Sequence, residues 1–242
     1  MFSKMPIALV FSLFVAIEAQ TKDVTIIKTK GDVRVRQGMD ENWKRASRDL
    51  PLKQLDTILT GEGAEVVLKL ENGDRFTLGG RSMLDIADLR KITERQLFLF
   101  LVSRKVDNMP RLERRGGFRP KHTTTVRGEA YRSEEGDENP QSHQSWQSEL
   151  NGARALLQHD YYPNTIVKVH TIMDKHSAAA NCQGTHFLLG RTFEMIDQPG
   201  RALDAYQQVL ELSEDNGCPV GEDEELERLA GDKVASLKKH DR

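Results

Sequence analysis

The stretch "AEVVLKLENGDRFTLGG", residues 64–80, predicts a β-hairpin whose register can be worked out from the sequence. A two-residue turn at its centre would place apolar residues opposite charged ones and mix the two faces of the sheet. A three-residue loop with Gly73 in the left-handed conformation keeps the apolar residues on one face. The cross-strand pairs that we expect from this loop are Leu68 with Phe76 and Val66 with Leu78.

Other segments in the first hundred residues also have strand patterns. In "GDVRVR", residues 31–36, valines alternate with arginines, as on a strand with one buried face. The run "QLFLFLV", residues 96–102, is apolar and has the length of a strand covered on both faces, with a short buried helix as the open alternative. We expect the segment before Ser103 to be almost free of long helices.

The first 19 residues have the pattern of a secretory signal peptide. Lys4 precedes an apolar run from Ile7 to Ile17, and small Ala19 follows it. The run is shorter than the ~20 residues that a membrane-spanning helix needs, and no second run of that length follows. We expect cleavage after Ala19 and a periplasmic mature chain without a transmembrane span; an uncleaved N-terminal anchor is the alternative.

Five motifs then follow in a characteristic order, and together they resemble the FecR domain of bacterial envelope proteins. The family has a Gly-x-Val strand, a Trp, a Gly-Asp-x-Ile-x-Thr-Gly-like segment, a hairpin and an Arg-Gly-Thr-x-Phe-like element. The sequence departs from it at Leu55, where the family has Gly, and at Glu129, where it has Thr. The matching positions are Gly31 and Val33, Trp43, Asp56 to Gly61, Gly73 to Ser82, and Arg127 to Tyr131.

The resemblance implies a mostly β domain over residues 22–132 and a role in envelope signalling or binding. Regulators of that family carry a cytoplasmic segment and a membrane span that bind a sigma factor. This chain has the predicted signal peptide in that place, so the resemblance does not extend to anti-sigma activity.

Basic residues are concentrated at the end of the predicted β domain. Residues 104–132 contain nine Lys and Arg against three Asp and Glu, although the net charge of the whole chain is -2. Such a cluster could bind an acidic glycan, a lipid headgroup or an acidic protein, or it could keep a connector solvated. The candidate anion-binding or partner-binding residues are Arg111, Arg114, Arg115, Arg119, Lys121, Arg127 and Arg132.

The polar composition of residues 133–147 predicts a linker, and the apolar period then becomes helical over residues 148–239. Small and aromatic residues there have the spacing found in tetratricopeptide repeats, with Gly and Ala where two helices approach and aromatic side chains beside them. The residues that carry this spacing are Leu189, Gly190, Phe193, Ala202 and Tyr206. A degenerate earlier copy and a final helix from Glu222 to Lys239 would complete a short solenoid. The predicted fold is thus α+β with segregated domains, an all-β domain followed by helical repeats.

The chain has two cysteines, Cys182 and Cys218, one at each end of the predicted second repeat. The two ends of a helical hairpin lie close together, and an exported protein folds in an oxidising compartment. We expect a disulfide between them; two unrelated thiols are the alternative.

No catalytic or metal-binding pattern is present in the sequence. The seven histidines lack paired-ligand spacing, and the sequence has no phosphate-binding loop and no nucleophile elbow. We therefore expect no enzyme, no cofactor and, from the nearly balanced net charge, no nucleic-acid partner. The leading hypothesis is an envelope interaction protein that binds a protein or peptide through its repeats. The alternative is a peptidoglycan or acidic-glycan module that uses the basic cluster.

Overall fold

The structure is a computed structural model that describes residues 24–107, 140–212 and 223–240. Its first part is built of short strands and one 3-10 helix, Ile86–Leu89. Residues 24–89 contain no α-helix, but the expectation of almost no long helix before Ser103 fails from Glu94 onward, where a 14-residue helix begins. The strands are β1 (Val24–Lys30), β2 (Val33–Arg36), β3 (Lys44–Arg45), β4 (Pro51–Leu52), β5 (Thr57–Thr60), β6 (Glu65–Lys69), β7 (Arg75–Leu78) and β8 (Met83–Asp85).

The strands form two antiparallel sheets that share one core. Their orders are β4-β1-β6-β7 and β3-β2-β5-β8. The alternation along β2 buries Val33 and Val35 and leaves the arginines on the outer side. The largest fully buried side chains of this core are Phe76, Ile26, Leu52, Ile58, Leu68, Leu78, Leu84 and Leu156.

The predicted hairpin register is confirmed. In the pair of β6 and β7, Val66 lies opposite Leu78 and Leu68 opposite Phe76. The Leu70 amide donates to the Asp74 carbonyl at 2.9 Å, which closes a three-residue loop. Gly73 in that loop has φ +89°, a conformation that side-chain-bearing residues rarely adopt.

The prediction of a strand at residues 96–102 is wrong, because these residues belong to helix α1 (Glu94–Asp107). The sequence "TERQ", residues 93–96, overlaps the start of the run and forms a capping box. The Thr93 amide donates to Gln96 Oε1 at 2.9 Å, and the Gln96 amide donates to Thr93 Oγ1 at 3.3 Å. Leu and Phe also fit a helix better than the β-branched residues of a typical strand would. The open alternative, a helix, is the observed one, and only one face of it is buried.

The second part of the structure is helical, which confirms a mixed α+β chain with its β region first. The final helix lies where the sequence placed a terminal helix. The helices after α1 are α2 (Pro140–Gln158), α3 (Tyr162–Lys175), α4 (Ser177–Ala180), α5 (Gln183–Met195), α6 (Pro199–Glu211) and α7 (Asp223–His240).

The structure differs from the predicted linker over residues 133–147. Helix α2 begins at Pro140, a residue well suited to a first helical turn. Trp146 lies inside the predicted linker, yet it is buried in the helical core. Polar composition suggested a linker, but Trp146 is buried together with Leu150 and Ala153 of the same helix, so the apolar face of α2 starts inside the predicted linker. Residues 133–139 lie outside the described residues.

The β region and the helical region pack directly on one another. Ala155 and Leu156 of α2 are buried in the core of the sheets rather than in the helical core. On the same helix, Gly152 lies so close to Met83 of β8 that an added Cβ would be 2.1 Å from the Met83 carbonyl oxygen. The helices therefore complete the β core, and the two regions of the sequence share an interface.

Candidate functional site

The predicted basic cluster and the predicted signal peptide lie outside the described residues. This holds for Arg111, Arg114, Arg115, Arg119, Lys121, Arg127 and Arg132 and for residues 1–19. Cys182 is buried and disulfide-bonded, while Cys218 lies outside the described residues, so the pairing of the two stays a prediction. The residues with repeat-like spacing, by contrast, lie close together between α5 and α6.

The most developed polar site is a cluster around Lys168, which we call the Lys168 cluster: Lys168, Asp85, Asp88 and Glu149. Lys168 extends from α3 and is 3% exposed. Its Nζ lies 2.8 Å from Asp85 Oδ2, 2.8 Å from Asp88 Oδ2 and 3.9 Å from Glu149 Oε2. The two aspartates belong to the β region and Glu149 to α2, so the ammonium group joins three parts of the chain.

Asparagine side chains on the helices add hydrogen bonds to the backbone of the β region. Asn164 Nδ2 donates to the carbonyls of Asp88 at 2.6 Å and Arg90 at 2.7 Å. Asn151 Nδ2 donates to the Arg81 carbonyl at 2.8 Å. These bonds satisfy backbone carbonyls just before β8 and in the segment that follows it. They fix the direction in which α2 and α3 leave the sheets.

The outer edge of strand β7 is also covered. The Thr77 amide lies 3.0 Å from His159 Nε2, and the His159 ring packs on Phe76 with centroids 4.4 Å apart. Tyr161 meets the same Phe76 ring edge-on. An open edge invites pairing with another chain, and the end of α2 removes that opportunity here.

The charges of the Lys168 cluster hold the ammonium group in its protonated form. Burial alone would lower the pKa of Lys168, but the carboxylates of Asp88 and Asp85 outweigh it and raise the pKa above its ordinary value. Burial also raises the pKa of Asp88. At Asp85 burial is outweighed by Lys168 and by a hydrogen bond from Thr57, so its pKa is lowered. A lysine that acts as base or nucleophile needs a lowered pKa, so Lys168 is suited to holding structure together.

The repeat-like residues form a tight contact between α5 and α6. A Cβ on Gly190 would lie 2.6 Å from Cε1 of the Tyr206 ring, so only glycine allows this approach. The Tyr206 hydroxyl donates to Glu194 Oε2 at 2.6 Å, and Lys233 of α7 pairs with Glu194 Oε1 at 2.9 Å. Leu189, Phe193 and Ala202 are buried in the same core. These contacts bind α5, α6 and α7 into one packed unit.

Asp56, which the FecR resemblance singled out, has a structural role. Its buried carboxylate accepts hydrogen bonds from the backbone amides of Gly38 at 2.8 Å and Lys53 at 2.9 Å. It thereby ties the loop after β2 to the turn before β5. Both carboxylate oxygens are used by the protein backbone, so Asp56 is not available to a ligand.

Sequence reasoning missed the Lys168 cluster. Lys168 interrupts the apolar period of "TIVKVHTIM", since Val169 and Ile172 beside it are buried in the helical core. A lysine at such a position needs a buried counter-charge. The sequence indicates that a counter-charge is needed, but the residues that supply it, Asp85 and Asp88, lie some eighty residues earlier in the chain.

A largely buried histidine between α1 and α3 gives a testable pH dependence. Burial, together with the nearby Arg104, lowers the pKa of His170 from 6.5 to about 4, although Asp174 opposes this. The unfolded state therefore binds more protons as the pH falls below 6.5, and stability falls with it. We expect the free energy of unfolding to drop by about 2 kcal/mol between about pH 7 and about pH 5 from this group alone. Urea titrations of the wild type and His170→Gln at both pH values would measure it. An equal drop in the variant would contradict the assignment to His170.

Comparisons with known proteins give a partial similarity to a solved structure. No protein-family model matches the chain, and no curated protein matches it. Among solved structures, a chain described as "Cell surface anchoring domain" has a TM-score of 0.25 and 25% sequence identity to it, over 26% of this chain and 83% of that chain.

The described residues lack two further kinds of feature, a membrane-spanning helix and a metal-binding cluster. None of the helices in residues 24–107, 140–212 and 223–240 combines the length and apolar character that crossing a membrane requires. The same residues contain no grouping of three or more His, Cys, Asp or Glu side chains suited to a metal ion.

Proposed function

We propose that this protein is an exported, non-enzymatic interaction protein of the bacterial envelope. Its FecR-like β region would be fixed to tetratricopeptide-like helical hairpins, and those hairpins would bind a partner protein or peptide. The observation that carries the proposal is the contact of Gly190 with Tyr206, because close helix approach at a glycine beside an aromatic ring is what the repeat-like spacing predicts.

The Lys168 cluster supports a role without catalysis. Lys168 is paired with Asp85 and Asp88 across the β and helical regions, and the lysine is held protonated. Such a junction gives the two regions a fixed relative position. A partner held on the helices would then have a defined orientation to the β region, as a scaffold requires.

The cysteine chemistry supports export. A disulfide persists in oxidising compartments such as the periplasm and is rare in the cytosol. Cys182 is disulfide-bonded. This agrees with the signal peptide that the first 19 residues predict.

Site-specific photo-crosslinking of the full-length chain tests the proposed binding surface. A photoreactive residue at exposed Met195 or Leu210 would report on the α5/α6 hairpin. The matched positions Met39 and Leu55 are also exposed but lie on loops of the β region. We expect a common protein partner to be crosslinked from Met195 and Leu210 and not from Met39 or Leu55.

Other crosslinking outcomes count against the proposal. Protein crosslinks from Met39 and Leu55 alone would move the binding surface to the β region. Crosslinks to glycan from those positions, with none from the helices, would favour the peptidoglycan or acidic-glycan alternative. A chain recovered from the cytoplasm with its first 19 residues intact would contradict export.

A further inference from the structure

We propose that the outer face of sheet β4-β1-β6-β7 is a second binding site, for an acidic peptide segment of a partner protein. This surface is separate from the helical hairpins and lies wholly within the described β region. The proposal goes beyond the proposed function, because it adds a site on the opposite part of the chain and assigns its chemistry.

The face carries an open groove of about 610 Å³ with basic side chains around an apolar floor. Ile27 and Val67 supply the floor. Lys28, Lys69 and Arg75 extend from the three adjacent strands, and Arg48 reaches the groove from the loop before β4. A concave surface of this size with several cations in it suits an extended anionic segment.

The pairing of Lys69 with Arg75 points to a ligand. These residues lie directly opposite one another on β6 and β7, an arrangement of like charges that destabilises a sheet. Neither forms an ion pair within the described residues, and both are exposed. Lys28 and Arg48 do have acidic neighbours, Glu65 at 3.2 Å and Asp49 at 3.9 Å, but these pairs are solvent-exposed and weak. Two uncompensated cations side by side form a natural position for carboxylates.

The shape and composition of the groove favour a peptide over a glycan or nucleic acid. None of the residues lining it is aromatic, whereas single-stranded nucleic acids are bound on aromatic stacking platforms. The apolar floor of Ile27 and Val67 would accept an aliphatic side chain, and the cations around it would accept carboxylates. An extended peptide repeats its side chains on one face every ~6.8 Å. Val67 and Lys69 are two residues apart on β6 and have the same spacing. An apolar and an acidic side chain two residues apart in the peptide would therefore meet Val67 and Lys69 together.

Fluorescence anisotropy with a short labelled peptide of repeated Glu-Ser-Val-Ser, which places Glu and Val on the same face of an extended chain, tests the proposal. The full-length protein is compared with K69Q/R75Q, and with R45Q/K91Q, which removes the same charge from exposed positions outside the groove. We expect the dissociation constant to rise about tenfold for K69Q/R75Q and to change little for R45Q/K91Q. Binding of the wild type should weaken as salt is added.

A denaturant titration of each variant shows whether it is as stable as the wild type, so that weaker binding is not mistaken for partial unfolding. Because K69Q/R75Q removes two opposed like charges, its free energy of unfolding should equal or exceed that of the wild type. The proposal is overturned if both double variants bind the peptide equally, or if a peptide of repeated Gln-Ser-Val-Ser binds as tightly. Binding of polygalacturonate without binding of the Glu-Ser-Val-Ser peptide would also overturn it. The crosslinking at Met195 and Leu210 does not depend on any of these outcomes, so the two proposals are tested separately.

Discussion

Replacement of Lys168 by methionine should lower the free energy of unfolding by about 4 kcal/mol. Methionine is close to lysine in length and fits the apolar side of α3, so the change removes the charge with little change in packing. Asp88, whose side chain is 22% exposed, would be left as an uncompensated carboxylate at the interface, and Asp85, which is 41% exposed, would lose the same partner. Each carboxylate lies 2.8 Å from Nζ in the native protein. Removing one partner of a buried ion pair costs far more than the net value of the pair, because the remaining charge has lost its water and its counter-charge.

Urea unfolding at neutral pH would measure this loss, with Lys175→Met as the matched control. Lys175 is exposed at the end of the same helix, so its replacement should change the free energy of unfolding by no more than about 0.5 kcal/mol. Adding Asp85→Asn and Asp88→Asn to the Lys168→Met chain should restore part of the stability, because the two carboxylates nearest to Nζ are then uncharged and Glu149 alone is left without the lysine. If Lys168→Met is as stable as the control, the Lys168 cluster does not join the two regions.

The features that could be predicted from the sequence are those that depend on near neighbours in the chain. The register of β6 and β7 follows from one loop length and from alternation over a few residues on each side. The close contact of α5 and α6 follows in the same way from the spacing of Gly190 and Tyr206 within one hairpin. In each case the residues that decide the structure are nearby in sequence, so their spacing alone carries the information.

The strand predicted at residues 96–102 was wrong for a related reason. An apolar run of that length fits a strand or a helix, and periodicity cannot separate them. The deciding signal was the Thr93 to Gln96 capping box at the start of the run. The exposed side chains of Phe98 and Leu99 then show that the run is a one-sided helix and is not covered on both faces.

The interface between the two regions could not be predicted, because it depends on residues far apart in the chain. Lys168 meets Asp85 and Asp88, and Asn164 meets the backbone of Asp88 and Arg90, only after the β region and the helices have packed together. No spacing rule within either region indicates such partners. The groove on the outer sheet face could not be predicted for the same reason. Arg48 reaches it from a loop, and strand order alone brings together Lys28, Lys69 and Arg75.

Replacement of Gly152 should have the second large effect on stability. It tests the same interface between the β region and the helices through a steric contact, without changing a charge. A Cβ at this position would lie 2.1 Å from the Met83 carbonyl oxygen and 3.1 Å from its carbonyl carbon. These are backbone atoms of β8, so they cannot rotate away as the end of a side chain could. We expect Gly152→Ala to lower the free energy of unfolding by about 3 kcal/mol, although alanine is by itself the better helix former by about 1 kcal/mol.

Gly231→Ala is the matched control, because it makes the same chemical change inside α7. Apart from the adjacent residues and the backbone of the helix itself, no described atom lies within 4 Å of the added methyl group there. There the helix preference of alanine acts alone, and stability should rise by up to about 1 kcal/mol. Opposite signs for the two substitutions, measured by urea unfolding, would locate the cost of Gly152→Ala in the contact between α2 and β8. Equal gains for both would show that α2 does not pack against Met83, and the fixed junction between the β region and the helices would then lose its main steric support.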